Sequence, residues 1–202
     1  MTLVTKFDAY FKSLISPYRY HSKESNEYIS ISDSVLLSWI FAIVNGIFRI
    51  ILINLVLVSL SSYVLGQDLD IQLFQKDGNF GYYFLILSSI LDIIFFPLFA
   101  LFIVQFWTFI IRIFARFLRV DGDIDLKVER VVTGSLSSNV FMAVPILGSF
   151  IQKVSSLILL FIGMRSQLKF SSALSICVLI SPIIIAMLIA IVAMTFLIFK
   201  NL

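Results

Sequence analysis

The sequence contains no acidic residue beyond Glu129. Charged side chains between residues 131 and 199 are few, and all of them are cationic: Lys153, Arg165 and Lys169. A water-soluble domain needs charges of both signs over its surface, whereas a segment surrounded by lipid cannot carry them. The C-terminal part of the chain is therefore predicted to lie in a membrane.

The composition extends this prediction to the whole chain. Of the 202 residues, 60% are hydrophobic and 13% are charged, and the mean hydropathy is +1.04. Soluble domains are about half apolar and about a quarter charged. The net charge is +3, but the cations flank apolar segments, where they act as topology signals beside anionic lipid. We therefore expect the lipid bilayer as a partner, and no binding of nucleic acid.

The apolar segments predict an all-α fold, a polytopic membrane bundle of five transmembrane helices in a membrane domain over residues 34–202. The predicted spans lie at about residues 34–64, 82–118, 131–147, 149–164 and 172–199. The second is too long for one crossing, so its end is expected to extend into the cytosol as a basic helix. Asp33 is the predicted N-cap of the first span.

Residues 1–33 are predicted to form a cytosolic amphipathic helix followed by a polar connector. Apolar residues recur at helical spacing over residues 3–15, and Pro17 ends the pattern. The apolar face comprises Leu3, Phe7, Phe11 and Leu14, widened by Val4, Tyr10 and Ile15. Such a helix packs against the protein or lies in the headgroup layer.

The segment 131–164 is consistent with one overlong helix or with a hairpin of two short helices, broken at Pro145 and Gly148. Positive-inside counting favours the hairpin, because it returns Arg165 and Lys169 to the cytoplasm. The same counting places the N-terminus in the cytoplasm, since the loop 66–80 is acidic with one lysine. A cytoplasmic N-terminus and an external C-terminus follow from five spans.

This threading predicts a basic face on the cytosolic side of the protein. Its cations come from the end of the second span and from the two following loops: Arg112, Arg116, Arg119, Lys127, Arg130, Arg165 and Lys169. A membrane protein or cytosolic protein is the expected partner of this face, and self-association is a further possibility through small-residue helix faces.

Polar residues inside the first two spans are the main candidates for chemistry. Asp92 and Arg49 are the charges deep within them, and the predicted polar cluster consists of Asn45, Arg49, Asn54 and Asp92. Counted from the outer helix ends, Asn54 and Asp92 lie at similar depth. Arg49 lies about a turn and a half deeper, close enough for its long side chain to reach them. The cluster is interpreted as a clamp between two helices, with a substrate or proton path as the alternative.

The sequence offers little for catalysis. It contains one histidine, His21, and one cysteine, Cys177, so we expect no metal site built on these residues and no other cofactor. Serine-nucleophile, Walker and dinucleotide patterns are missing. Three aspartates around Gly122 superficially resemble a calcium loop, but the Gly and Glu positions do not fit, so a solvated turn is predicted. We expect no enzymatic activity.

Short motifs in the C-terminal half carry a family resemblance. Residues 143–148 read Ala-Val-Pro-Ile-Leu-Gly, residues 162–165 read Ile-Gly-Met-Arg, and an Ala-Leu step opens the last span at residues 173–174. This order resembles the Yip family, the Rab-GTPase-interacting-protein domain, and its bacterial relatives. The Leu-Ile-Ser-Pro-Tyr-Arg run at 14–19 is similar to an N-terminal segment of bacterial members. Met164 departs from the family, which has an aliphatic residue there.

The resemblance implies a cytosolic N-terminus, five spans and no catalytic residues. It further implies an interaction protein or membrane-organising protein, connected with vesicle trafficking in eukaryotes, and for a bacterial relative a location in the cytoplasmic membrane. Our first hypothesis is therefore a membrane scaffold that binds a partner. The alternatives are a small transporter or channel-like subunit using Arg49, Asp92 and Asn54, and a lipid-responsive protein using the helix over residues 3–15.

Overall fold

The computed structural model describes residues 2–22, 28–65 and 78–200, and every regular element in these ranges is helical. This confirms the all-α fold. In chain order the elements are α1 (Leu3–Ile15), α2 (Pro17–Ser22), α3 (Ile31–Leu65), α4 (Gly78–Phe117), α5 (Ile124–Ser135), a 3₁₀ helix (Leu136–Ala143), α6 (Gly148–Gln167) and α7 (Ser172–Lys200). Most of the predicted loop 66–80, and Lys23 in the predicted connector, lie outside the described residues.

Helix α1 is the predicted N-terminal helix, and its packed face overlaps the predicted apolar face only in part. Its buried side chains are Ala9, Tyr10 and Ser13. Leu3 and Ile15, which belong to the predicted apolar face, are 68% and 76% exposed. The reason is that Ser13 and the Tyr10 hydroxyl find polar partners inside the protein, so the packed face is not the most apolar one.

Helix α3 begins at Ile31, one turn earlier than predicted, and its cap is Ser30. The backbone N–H of Asp33 donates to the Ser30 hydroxyl at 3.2 Å. The prediction of Asp33 as the N-cap is therefore wrong. Its carboxylate instead accepts from Lys6 Nζ at 2.7 Å, which connects α1 to the start of α3.

Three of the described helices are long and apolar enough to cross a membrane: Ile31–Val56 within α3, Tyr83–Phe117 within α4 and Ser172–Phe196 within α7. Their outer faces are covered by exposed large apolar side chains, which suits contact with lipid. The extents of α3, α4 and α7 agree closely with the predicted first, second and last spans.

The predicted spans 131–147 and 149–164 do not qualify, so the count of five is corrected to three among the described residues. The first of them comprises the end of α5, the 3₁₀ helix and a non-helical turn. Its side chains from Val131 to Asn139 are all buried in protein. The second lies within α6, whose Lys153, Arg165 and two glutamines lower its apolarity below that of the spans.

Serine side chains explain why α5 tightens into a 3₁₀ helix. The hydroxyls of Ser135, Ser137 and Ser138 each donate to a carbonyl three residues earlier, at 2.7 to 2.8 Å. Such bonds compete with the α-helical pattern and favour a tighter coil. Gly148 then allows α6 to fold back, because a Cβ there would collide with the carbonyl oxygen of Phe141.

The short helices gather around the neighbouring ends of α3, α4 and α7, and we call this assembly the base. Its members are α1, α2, α5, the 3₁₀ helix and α6. The core of the base contains side chains that are completely buried, among them Val104, Ile111, Val131, Leu160 and Met164. Beyond the base α7 contacts little else, since only 6% of its apolar window is buried.

His21 is part of this core rather than of a solvated connector. Its side chain is 4% exposed and lies against Gly134 and Gly163, where added Cβ atoms would come within 3.0 Å and 3.3 Å of its ring. The Gln167 amide donates to the His21 carbonyl oxygen at 2.5 Å. Burial lowers the pKa of His21 from 6.5 to about 4, because the charged ring would lose its hydration.

We predict that acidification destabilises the base through His21. Between pH 6.5 and about 4 the unfolded chain binds a proton that the folded chain does not, so stability falls as the pH falls. At pH 5 the loss is about 2 kcal/mol relative to pH 7.5. Thermal unfolding of the detergent-solubilised protein at both pH values measures it. The His21→Gln variant serves as control, and an equally large pH effect in that variant would contradict the assignment.

Candidate functional site

Helices α3 and α4 bring two of the predicted polar residues together within the membrane part. Arg49 Nη1 donates to Asp92 Oδ2 at 2.6 Å. The side chains are 47% and 60% exposed, so the ion pair lies on the outer surface of the helix pair and not in its interior. In hydrocarbon an ion pair at such a surface is costly unless something polar covers it.

The two predicted asparagines are placed differently. Asn54 donates to the carbonyl oxygen of Ile50 in its own helix at 2.8 Å. Asn45 is half-buried, and within the described ranges no hydrogen bond joins it to the ion pair. The contact observed within the predicted cluster is the ion pair of Arg49 and Asp92.

A second polar contact between the same helices centres on Pro97. Proline has no N–H, so the carbonyl four residues earlier, that of Ile93, loses its helical donor. Trp39 of α3 replaces it: its indole N–H donates to the Ile93 oxygen at 2.7 Å. The Ile93 side chain also lies directly over Gly46, so that a Cβ at Gly46 would collide with it. Pro97 predicts an interrupted hydrogen-bond pattern in α4, but nothing in the sequence indicated that Trp39 would supply the missing donor.

In the last span a proline also frees a backbone carbonyl, but a side chain of the same helix supplies the donor. Pro182 of α7 leaves the carbonyl of Val178 without its helical donor, and the Ser181 hydroxyl donates to that oxygen at 2.8 Å. A serine directly before a proline is a local pattern, readable from the sequence in hindsight.

Tyr10 joins three elements inside the base. Its hydroxyl donates to the carbonyl oxygen of Leu136 at 2.6 Å and lies 2.8 Å from Ser38 Oγ. Burial raises the pKa of Tyr10, so the phenol stays protonated as a donor. The pairing of α1 with α3 and the 3₁₀ helix depends on this contact, which no sequence pattern had indicated.

The predicted basic face divides into several environments. Asp125 forms ion pairs with Arg112 and Arg116, with nitrogen to oxygen distances of 2.7 Å and 3.8 Å. The guanidinium of Arg130 lies 3.6 Å from the centre of the Tyr28 ring, and Arg165 lies 5.8 Å from that of Phe161. Most of these cations are therefore engaged with the protein's own side chains.

The remaining three cations of that face, Arg119, Lys127 and Lys169, line one cavity of about 400 Å³. The cavity lies between the end of α4, the start of α7 and the α6–α7 turn. Lys127 donates to the carbonyl oxygen of Asp121 at 2.5 Å. The sequence pattern placed these cations on one face but did not predict a concave site.

A metal centre finds no support in the described part of the chain, because no group of three His, Cys, Asp or Glu side chains comes together there. His21 and Cys177 lie in different parts of the fold, one buried in the base and one exposed on α7. What the site residues provide chemically is helix-to-helix contact and a concentration of positive charge.

Comparison of the chain with protein-family models, with curated proteins and with solved structures finds no match in any of the three. The resemblance to the Yip family therefore stays a prediction from short motifs.

We predict that the Trp39 contact is coupled to Pro97. Trp39→Phe leaves the Ile93 carbonyl unsatisfied and destabilises the α3–α4 pair by about 1–2 kcal/mol. In a Pro97→Ala background the restored N–H satisfies that carbonyl, so the same substitution costs less than half as much. A double-mutant cycle of unfolding free energies in bicelles measures the coupling. Trp107→Phe is the matched control, and additive effects of Trp39→Phe and Pro97→Ala would contradict the assignment.

Proposed function

We propose that this chain is a non-enzymatic membrane scaffold that binds a protein partner. Three apolar helices anchor it, and the base presents a folded surface on one side of the bilayer. The proposed partner is another membrane protein, a cytosolic protein or a second copy of the chain. By resemblance to the Yip family, the role is membrane organisation or trafficking, and for a bacterial relative the location is the cytoplasmic membrane.

The observation that carries this proposal is the exposed ion pair of Arg49 and Asp92. The pair holds α3 to α4 but leaves about half of each side chain uncovered in the isolated chain. A charged surface at membrane depth is stable when protein covers it, since lipid tails cannot hydrate it. A partner helix seated there would complete the burial of the pair.

Transport is the less favoured function. A transport path requires a water-filled cavity that reaches the charged residues. The cavity described above lies at the base, among Arg119, Lys127 and Lys169, and Asp92 does not line it.

The proposed orientation places the base in the cytoplasm and the C-terminal end of α7 outside. Cations from distant parts of the sequence gather at the base, including Lys6 of α1, Arg112 of α4 and Lys169 after α6. Positive charge beside membrane spans favours the cytoplasmic side. Three spans preserve the predicted cytoplasmic N-terminus and external C-terminus, because the turn between the 3₁₀ helix and α6 need not cross the bilayer.

We predict that this turn is inaccessible from outside the cell. A Leu147→Cys variant in a Cys177→Ser background is treated with a membrane-impermeant thiol reagent on intact cells. The three-span orientation predicts no labelling of position 147. Asp70→Cys is the external control and Asp121→Cys the cytoplasmic one, labelled only after permeabilisation. Labelling of Leu147→Cys in intact cells would restore the five-span arrangement.

Partner binding is tested next to the ion pair. A photo-crosslinking residue at Leu52, one turn from Arg49 on α3, is expected to give a discrete protein adduct in membranes. The same residue at Ile189, exposed on α7, is the control. Neutralising the pair with Arg49→Gln and Asp92→Asn together is expected to lower the adduct yield several-fold, because the covered charges guide the contact. Crosslinks to lipid alone at Leu52 would contradict partner binding.

A further inference from the structure

The cavity at the base is lined by charge from separate turns of the chain. Arg119 follows α4, Lys127 lies in the first turns of α5, and Lys169 lies between α6 and α7. Asp121 is the acidic residue in the lining. The lining therefore carries three cations against one carboxylate, in a concave site of about 400 Å³.

Within the described residues, none of these three cations is paired with a carboxylate. Among the described residues, no ion pair joins Arg119 or Lys169 to a carboxylate, in contrast to Arg112 and Arg116 on the same face. Lys127 donates to a backbone carbonyl, which leaves its charge uncompensated. Like charges held around one cavity repel each other unless an anion lies between them.

The backbone holds two of these three cations in an unusual conformation. Arg119 and Lys169 have φ angles of 51° and 56°, in the left-handed region that glycine normally occupies after a helix. At the end of α4, the N–H of Val120 donates to Ala115 and that of Arg119 to Arg116, the pattern of a helix that usually ends in glycine. A long cationic side chain at such a position costs free energy that glycine would save.

The cavity also lies beside the ends of two apolar helices. The apolar span in α4 ends at Phe117, and the one in α7 begins at Ser172. Both positions lie beside the lining residues. Ile176, about one turn further along α7, is already an exposed apolar residue. The apolar walls of the cavity are Leu118, Phe170 and Leu174. Cationic and apolar walls thus meet in one cavity, an arrangement that suits a ligand with a phosphate next to an apolar part.

We propose that this cavity binds a phosphate group, supplied by the headgroup of an anionic phospholipid or by a soluble phosphate ester. Arg119 and Lys169 bind the phosphate oxygens directly, and Lys127 adds long-range attraction. The apolar walls favour the lipid source. The site goes beyond the proposed scaffold function and does not depend on it, because the argument uses neither the ion pair nor the orientation of the chain.

The test is a binding titration of the full-length protein in neutral detergent. The probes are short-chain phosphatidylglycerol, short-chain phosphatidylcholine, glycerol 3-phosphate and inorganic phosphate, followed by native mass spectrometry. Phosphatidylglycerol binding well above phosphatidylcholine supports the headgroup source. Inorganic phosphate or glycerol 3-phosphate binding as tightly as the lipid supports the soluble source. Equal binding of both lipids, with no binding of the soluble phosphates, overturns the proposal.

Substitutions identify the cavity as the place of binding. Arg119→Asn and Lys169→Asn remove the charges, and asparagine tolerates the left-handed backbone, so the fold is retained. Each is expected to weaken phosphate binding about tenfold. Arg119→Lys and Lys169→Arg keep most of the affinity. Arg116→Gln, outside the cavity and beside Asp125, is the matched control for loss of one positive charge.

Equal weakening by Arg116→Gln would mean that general surface charge, not the cavity, attracts the anion, and would overturn the proposal. Unfolding midpoints of all variants are measured alongside. If Arg119→Asn or Lys169→Asn fails to fold, the other of these two variants provides the test. Failure to crosslink a protein partner near Leu52 would contradict the scaffold but leave this binding result unaffected.

Discussion

The fold depends on satisfying backbone carbonyls in surroundings that offer no water. In lipid an unpaired carbonyl is costly, because no water is present to hydrogen-bond it. Pro97 creates such a carbonyl in the middle of α4, and Trp39 of α3 supplies the missing donor. The close approach at Gly46 and the ion pair of Arg49 and Asp92 follow from the same helix pairing. The α3–α4 unit is thus held by polar contacts inside an apolar surface.

Long apolar segments were predictable because length and hydropathy alone define a span. This is why α3, α4 and α7 match their predicted extents. The error over residues 131–164 arose because small and apolar residues suit a protein core as well as lipid. The side chains from Val131 to Asn139 are buried against other helices, and their serines bond to their own backbone. Hydropathy does not distinguish these two environments.

The candidate sites were predictable to different degrees. The meeting of Arg49 and Asp92 followed from helical rise, since depth along two adjacent helices can be counted from their ends. The cavity around Arg119 and Lys169 was hidden, because it depends on where α4 and α6 end and how α7 restarts. His21 was read as part of a connector, although two glycines distant in sequence, Gly134 and Gly163, make room for it in the core. Such long-range complementarity leaves no local pattern.

The two proline sites imply an order of assembly. The carbonyl freed by Pro182 is satisfied by Ser181 of the same helix, so α7 can insert alone without an unmet backbone group. The carbonyl freed by Pro97 is satisfied only when α3 is beside α4. During synthesis α4 therefore carries an unpaired backbone carbonyl in the bilayer until it packs against α3. Helix α7, in contrast, can insert as an independent segment. The first two spans form one insertion unit, and the third joins it through the base.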